Sequence, residues 1–296
     1  MMSTRRRPAP GAGAVVAVLA VGAAAVTGTL LYQGVKDGRP GAQECTARLD
    51  GTEWSLSTVQ AHNAALIVGT TIQRSLPARA GTIGVATALQ ESQLVNIDYG
   101  DRDSLGLFQQ RPSQGWGTPD EILDPVYSTG AFYDGLVEVE GWPTMAVTDA
   151  AQAVQRSAFP TAYAQHESRA RAWASSLTGH SPGSVTCTLR PADPATAHVG
   201  VPERLDRDLG LGADAVRSDG ATVRVDAAGL HEGDTDRGTW TVAHWAVATA
   251  NATGATEVRA ADQVWTRESG TWSTLTADDD PPRDGVVRIR VIQPAG

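Results

Sequence analysis

The residues best placed to do chemistry lie between Ala88 and Pro112, in ALQESQLVNIDYGDRDSLGLFQQRP. Glu91 is the candidate proton donor. It follows a run of small and apolar residues, Ile83 to Leu89, whose pattern predicts a buried helix nearing its end. Gly84, Thr87 and Ala88 stand seven, four and three residues before Glu91 and share its helix face. A carboxyl group on such a face is partly desolvated, which raises its pKa toward the range useful to a general acid. Ser92 has no histidine near it in sequence and reads as a stabiliser of the helix end or of Glu91's orientation, not as a nucleophile. Asp98, Asp101 and Asp103 crowd the following polar stretch. They are candidates for a second carboxylate, or simply turn and solvation residues.

Stepping outward, helices are expected to carry this segment. Ser57-Thr58-Val59-Gln60 has the spacing of a capping box and opens a helix through Ile72, ended by Pro77. The next helix, about Gly81 to Asn96, carries Glu91. Asp98 to Ser104 reads as a loop or short ribbon, and Pro112 to Pro119 as a second loop. Pro125 starts a helix to about Val137; Thr148 to Ser157 and Ala162 to Leu177 complete an all-helical unit spanning residues 45–188.

These residues resemble the lysozyme-like lytic transglycosylases, which cut the glycan strands of bacterial peptidoglycan. Gln90-Glu91-Ser92 looks like that family's Glu-Ser motif, whose glutamate is the catalytic acid. Gly106-Leu107-Phe108-Gln109, starting fifteen residues after Glu91, looks like its Gly-Leu-Met-Gln motif. Asp124-Pro125 followed by Gly130 and Tyr133 is similar to the pattern of the next helix. The resemblance covers about residues 50–178 and implies one glutamate acting as acid and then base, with the substrate's own N-acetyl group assisting and a 1,6-anhydro sugar as product. A departure falls at Ala153-Val154-Gln155-Arg156-Ser157, where the family has Ala-Tyr-Asn-Ala-Gly. Gln155 can replace an amide; Val154 cannot replace a phenol, and Tyr163 is the nearby residue able to supply one.

The expected substrate contacts are Ser92, Gly106, Phe108, Gln109, Gln110, Trp116, Gln155 and Tyr163. The two glutamines can hydrogen-bond N-acetyl or hydroxyl groups over Phe108, although Phe108 also fits a core position and Gln110 a solvated one. Trp116 between Gly115 and Gly117 is either a stacking platform for a sugar ring or a plug of the loop on the core.

The rest of the chain sets the context. Arg5 to Arg7 precede an uncharged stretch whose apolar part runs from about Ala14 to Tyr32, long enough to cross a bilayer. Residues 1–36 are therefore an anchor with a cytoplasmic basic tip, or a cleaved signal; either way the remainder is exported. The two cysteines, Cys45 and Cys187, agree with an exporting route and are expected to form a disulfide clamping the ends of the first unit. A net charge of -9 over 296 residues argues against nucleic acid as a partner. The six histidines show no metal-ligand spacing, so neither a metal nor another cofactor is expected.

Residues 189–202, rich in proline and alanine, read as a linker, and 203–296 as a small, non-catalytic α+β domain. Thr222 to Val225, Glu257 to Trp265 and Val286 to Ile292 are its expected strands, and Gly238 to Asn251 its helix, with Trp240, Trp245, Trp265 and Trp272 in or near the core. Ser218-Asp219-Gly220 to Asp226 and Asp284-Gly285-Val286-Val287 faintly resemble the fold of zinc D-Ala-D-Ala carboxypeptidases. The histidines that would hold zinc are missing, so that resemblance implies a metal-free module with a wall-associating or scaffolding role. The expected whole is a mainly α lysozyme-like domain, a small α+β domain and an N-terminal transmembrane segment. The alternative to an enzyme is a wall-binding or scaffold protein that keeps the groove without turnover.

Overall fold

A computed structural model describes residues 42–194 and 200–292. The expected membrane segment lies outside the described residues. Among the described residues, no helix is long and apolar enough to cross a membrane.

The first element is a hairpin, β1 (Glu44–Leu49) and β2 (Thr52–Ser57), turning through Asp50 and Gly51, both at positive φ. Such a two-residue turn suits the right-handed twist of the strands it joins. Ser57 ends β2 and caps α1 (Thr58–Gln73): its side chain accepts from the Gln60 N–H while Gln60 reaches back to the cap. Pro77 separates α1 from α2 (Ala78–Ser92), the helix that carries Glu91. α2 stops four residues earlier than expected. Gln93 and Leu94 both take left-handed backbone, and the Gln93 and Leu94 N–H groups close back on Leu89 and Ala88.

Four further helices follow in the first half. A short α3 (Pro119–Leu123) leads into α4 (Pro125–Val137), which starts at Pro125 with Asp124 as its cap. α5 (Val147–Gln155) follows, then a 3-10 turn over Ala162–His166 and α6 (Glu167–Leu177). The segment expected as one helix from Ala162 is thus split at His166. β3 (Val185–Thr188) returns to pair with β1, giving a three-stranded sheet in the order β2-β1-β3. The all-helical expectation for this half is corrected by that sheet, in which only β1 and β3 have regularly alternating burial. Cys45 and Cys187 face each other across β1 and β3 and form the expected disulfide.

The second half holds α7 (Val201–Leu209), α8 (Thr235–Ala248), α9 (Ala250–Thr253) and a six-stranded antiparallel sheet ordered β4-β5-β9-β6-β7-β8. Its strands are β4 (Val216–Asp219), β5 (Thr222–Asp226), β6 (Ala255–Ala260), β7 (Gln263–Thr266), β8 (Trp272–Thr274) and β9 (Val286–Val291). Glu257 to Trp265, expected as one strand, is a hairpin of β6 and β7. α8 packs on β6 and β9, burying Trp240, Ala243, Val247 and, just beyond it, Ala250. α7 already begins at Val201, within the expected linker.

The described residues from Gln43 onward form one compact unit. Helices α1 and α6 of the first half pack on α8, and α1 also packs on α7. Polar bonds fix this contact. Across it, Trp272 donates its indole N–H to the Val185 carbonyl at 2.7 Å, while within the second half Trp245 donates to the fully buried Asp208 at 2.9 Å. The buried His244 ring contacts the Ser176 carbonyl through Nδ1 and accepts the Ser184 N–H through Nε2. Those two bonds make Nδ1 the protonated nitrogen of a neutral ring.

Candidate active site around Glu91

Glu91 is half-buried in the last turn of α2. Its backbone position is fixed by close helix packing: a Cβ on Gly84 would come within 2.5 Å of the Tyr133 hydroxyl of α4, so only glycine allows this approach. Tyr133 spends that hydroxyl on the Ile67 carbonyl at 3.0 Å. Three helices therefore meet behind the acid.

The end of α2 is tied to the glycine turn. Ser92 donates to the Leu107 carbonyl at 2.7 Å and also lies 3.1 Å from the Ala88 carbonyl. Leu105 and Gln110 pair across the base of a four-residue turn over Gly106 to Gln109. Asp98 to Ser104, expected as a loop or short ribbon, is a loop, and the short ribbon is this Leu105–Gln110 pair. Gly106 is required by the geometry: its φ is +77°, and a Cβ there would sit 2.6 Å from the Ile122 carbonyl. Phe108 points into the core and stacks on Phe132 at 4.5 Å.

Gln155, at the end of α5, links this turn to the acid. Its side-chain amide donates to the Phe108 carbonyl at 2.7 Å and is also hydrogen-bonded to Glu91. Tyr163, from the 3-10 turn, donates its hydroxyl to Glu91 Oε1 at 2.6 Å. A phenol thus reaches the acid from a different element than Val154, which lies on α5 and helps to line the neighbouring cavity. Ser157 is hydrogen-bonded to Tyr163 in turn, and Gln90 holds the 3-10 turn through Gln165 and His166 at 3.0 and 3.1 Å.

Burial raises the Glu91 pKa above the ordinary carboxylate value, and the bonds from Tyr163 and Gln155 pull it partly back. Burial also raises the Tyr163 phenol, and its bond to Glu91 adds to that, so it remains a donor at any physiological pH. The acid is therefore desolvated enough to hold a proton, yet its ionised form still has two donors.

A cavity of about 630 Å³ opens beside Gln155, lined also by Gln114, Trp116, Glu138, Val154 and Arg156. Its lining mixes apolar side chains with a larger share of polar ones, a combination that suits a sugar. Trp116 is half-buried and presents part of its ring there.

The expected contacts fall in different places. Gln155 and Tyr163 hold the acid, and Trp116 lines the cavity. Ser92, Gly106, Phe108 and Gln110 are buried behind it; the Gln110 side chain donates to the Ser128 carbonyl at 3.0 Å and is not solvated. Gln109, half-buried at positive φ, lies against the Tyr99 and Gly106 carbonyls. Asp103 accepts from the Ser113 N–H and from Arg111 at 2.7 Å, which keeps its carboxyl well below the usual range and makes it a strut of the loop.

Three contributors were not visible in the sequence. Gln60 and Asn63 of α1 donate to the Gln93 and Leu94 carbonyls, holding the left-handed exit of α2. Glu138 adds a carboxylate to the cavity. Among the described residues, no group of three or more His, Cys, Asp or Glu side chains is placed to hold a metal.

Compared with known proteins, the chain matches no family model and no curated sequence. The functional reading therefore stands on the site's geometry and on the motifs that carry the resemblance.

Proposed function

We propose that this protein cleaves the glycan strand of bacterial peptidoglycan with Glu91 as its single acid and base, in the manner of the lytic transglycosylases. One observation carries the reading: a half-buried carboxyl held by Tyr163 at 2.6 Å and by Gln155, the residue that also borders the large cavity.

The chemistry runs in two halves. Protonated Glu91 gives its proton to the glycosidic oxygen as the bond to the anomeric carbon breaks. The carbonyl oxygen of the substrate's N-acetyl group closes on that carbon and takes up the developing positive charge. Glu91, now ionised, removes the proton of the sugar's 6-hydroxyl, whose oxygen displaces the N-acetyl oxygen and forms the 1,6-anhydro ring. Tyr163 and Gln155 donate to the carboxylate in this second half, when it bears charge. No second carboxylate is needed, and Asp103 is already engaged by Arg111 and Ser113.

The protein works outside the cytoplasm, held at the membrane by the apolar segment from about Ala14 to Tyr32, with the arginine tip inside. Its second half adds a non-catalytic module toward wall or membrane-protein partners.

A wall-binding protein without turnover is the second reading, favoured by Val154 where the resembling family has tyrosine. Product analysis decides between them. The full-length protein, incubated with purified peptidoglycan, is expected to release 1,6-anhydro muropeptides, and Glu138→Gln to release the same products. New reducing ends that disappear in Glu138→Gln would replace the single-acid mechanism by hydrolysis with two carboxylates. Pull-down of the polymer without soluble products would establish the binding reading.

A further inference from the structure

Four arginines stand directly opposite one another on four neighbouring strands of the larger sheet. Arg217 on β4 pairs with Arg224 on β5, Arg224 with Arg288 on β9, and Arg288 with Arg259 on β6. Their strand neighbours Val216, Val223, Val287, Ile289 and Val258 are buried, so all four arginines lie on the face turned away from the core. With strands about 4.8 Å apart, the row is about 14 Å long.

Like charges directly opposite in a sheet destabilise it, so such a row calls for anions. The fold supplies them incompletely. Arg259 pairs with Glu257 at 2.8 Å, Arg288 with Asp280 at 2.7 Å, and Arg224 only loosely with Asp219 at 3.6 Å. Arg290, on the same face of β9, has no ion pair among the described residues. Nε and Nη2 of Arg288 are buried and have no hydrogen-bond partner, so the row's free donors at the surface are those of Arg217, Arg224 and Arg290. Two hollows flank the row and share Arg224: one of about 310 Å³ reaching Arg217 and Arg283, and one of about 230 Å³ reaching Arg259, Arg288 and Arg290. This concentration of positive charge sits in a chain whose net charge is -9.

We propose that this face binds a phosphodiester-linked polyol polymer laid across the strands, successive phosphates meeting successive arginines. A row fits a chain of anions better than a single one. The planar guanidinium matches phosphate oxygens two at a time. The site is independent of the Glu91 chemistry.

The test is calorimetric titration of the full-length protein in mild detergent with a synthetic glycerol-phosphate oligomer, alongside poly-glutamate and a single-stranded oligodeoxynucleotide. Arg224 and Arg290 are exposed and stand in a like-charged row, so their joint replacement by glutamine leaves the thermal midpoint equal or higher. The oligomer is expected to bind more tightly than either control, about tenfold more weakly to Arg224→Gln/Arg290→Gln, and unchanged to Glu91→Gln; a tenfold loss is about 1.4 kcal/mol. Absence of binding by the parent protein, equal affinity in the double variant, or tighter binding of either control polymer would overturn the proposal.

Discussion

At the scale of single residues, the decisive arrangement is a carboxyl whose two needs are met by different neighbours. The small-residue face of α2 excludes water and favours the protonated acid, whereas Tyr163 and Gln155 favour the carboxylate. Removing the phenol in Tyr163→Phe takes away a bond to the ionised form and therefore raises the Glu91 pKa further. A general acid loses activity as pH rises through its pKa, so the alkaline limb of the kcat/KM profile should move to higher pH in this variant. The rate at the optimum should fall about 10- to 100-fold, the worth of a hydrogen bond to a charged group. A pH–rate profile of both proteins checks this; an unmoved limb would separate Tyr163 from the acid. Glu91 and its face were legible because the spacing of Gly84, Thr87 and Ala88 is a local helical pattern. That Tyr163 supplies the phenol was open, because no periodicity relates residues 72 positions apart.

At the scale of elements, the glycine turn determines whether the acid is held correctly. Gly106→Ala places a Cβ at positive φ and 2.6 Å from the Ile122 carbonyl. The expected cost is about 1–3 kcal/mol, read as a lower denaturant midpoint, with activity lost beyond that because Ser92 and Gln155 both anchor to this turn. Unchanged stability would mean that the turn has another conformation available. The helices around the site were legible almost residue by residue where caps or prolines mark them, as at Ser57 and Pro125. The small sheet was missed although Asp50-Gly51 is a strong hairpin signal. Its strands are short, and β2 has a single buried residue, Leu56, so the alternation that announces a strand is almost absent there. The exit of α2 was placed four residues late because Gln93 and Leu94 are non-glycine residues in left-handed backbone, held there by Gln60 and Asn63 from another helix.

At the scale of the molecule, the two halves named by composition are packed into one unit, and a buried histidine lies in the contact. His244 bonds to both Ser176 and Ser184, and burial lowers its pKa to about 4. The unfolded chain therefore binds this proton more readily than the folded one between about pH 6.5 and 4. The stability that neutral His244 contributes is complete above that window and is lost as pH falls through it, by about 3 kcal/mol. Thermal midpoints measured from pH 7 to pH 4.5 should fall more steeply for the parent than for His244→Asn, which starts lower. Parallel curves would show that the ring does not report on the contact. The linker reading of residues 189–202 came from proline and alanine content, which describes a connection's composition and carries no information on how the flanking surfaces meet. Of the tryptophans legible as core or edge residues, Trp272 makes its polar bond across that contact, to Val185, and Trp245 makes its own within the second half, to Asp208.

The most direct measurement is the release of soluble muropeptides from purified peptidoglycan by the parent protein and by Glu91→Gln, with folding of both followed by thermal unfolding. Glu91 bears its charge against a burial cost: its raised pKa means that stability falls as pH rises through the window between its unfolded and folded values. Glu91→Gln should therefore unfold at an equal or higher temperature at neutral pH, still bind the polymer, and release products at least about 100-fold more slowly, the usual contribution of a general acid. A folded Glu91→Gln variant that releases anhydro products at the parent's rate would contradict the assignment of Glu91 as the acid.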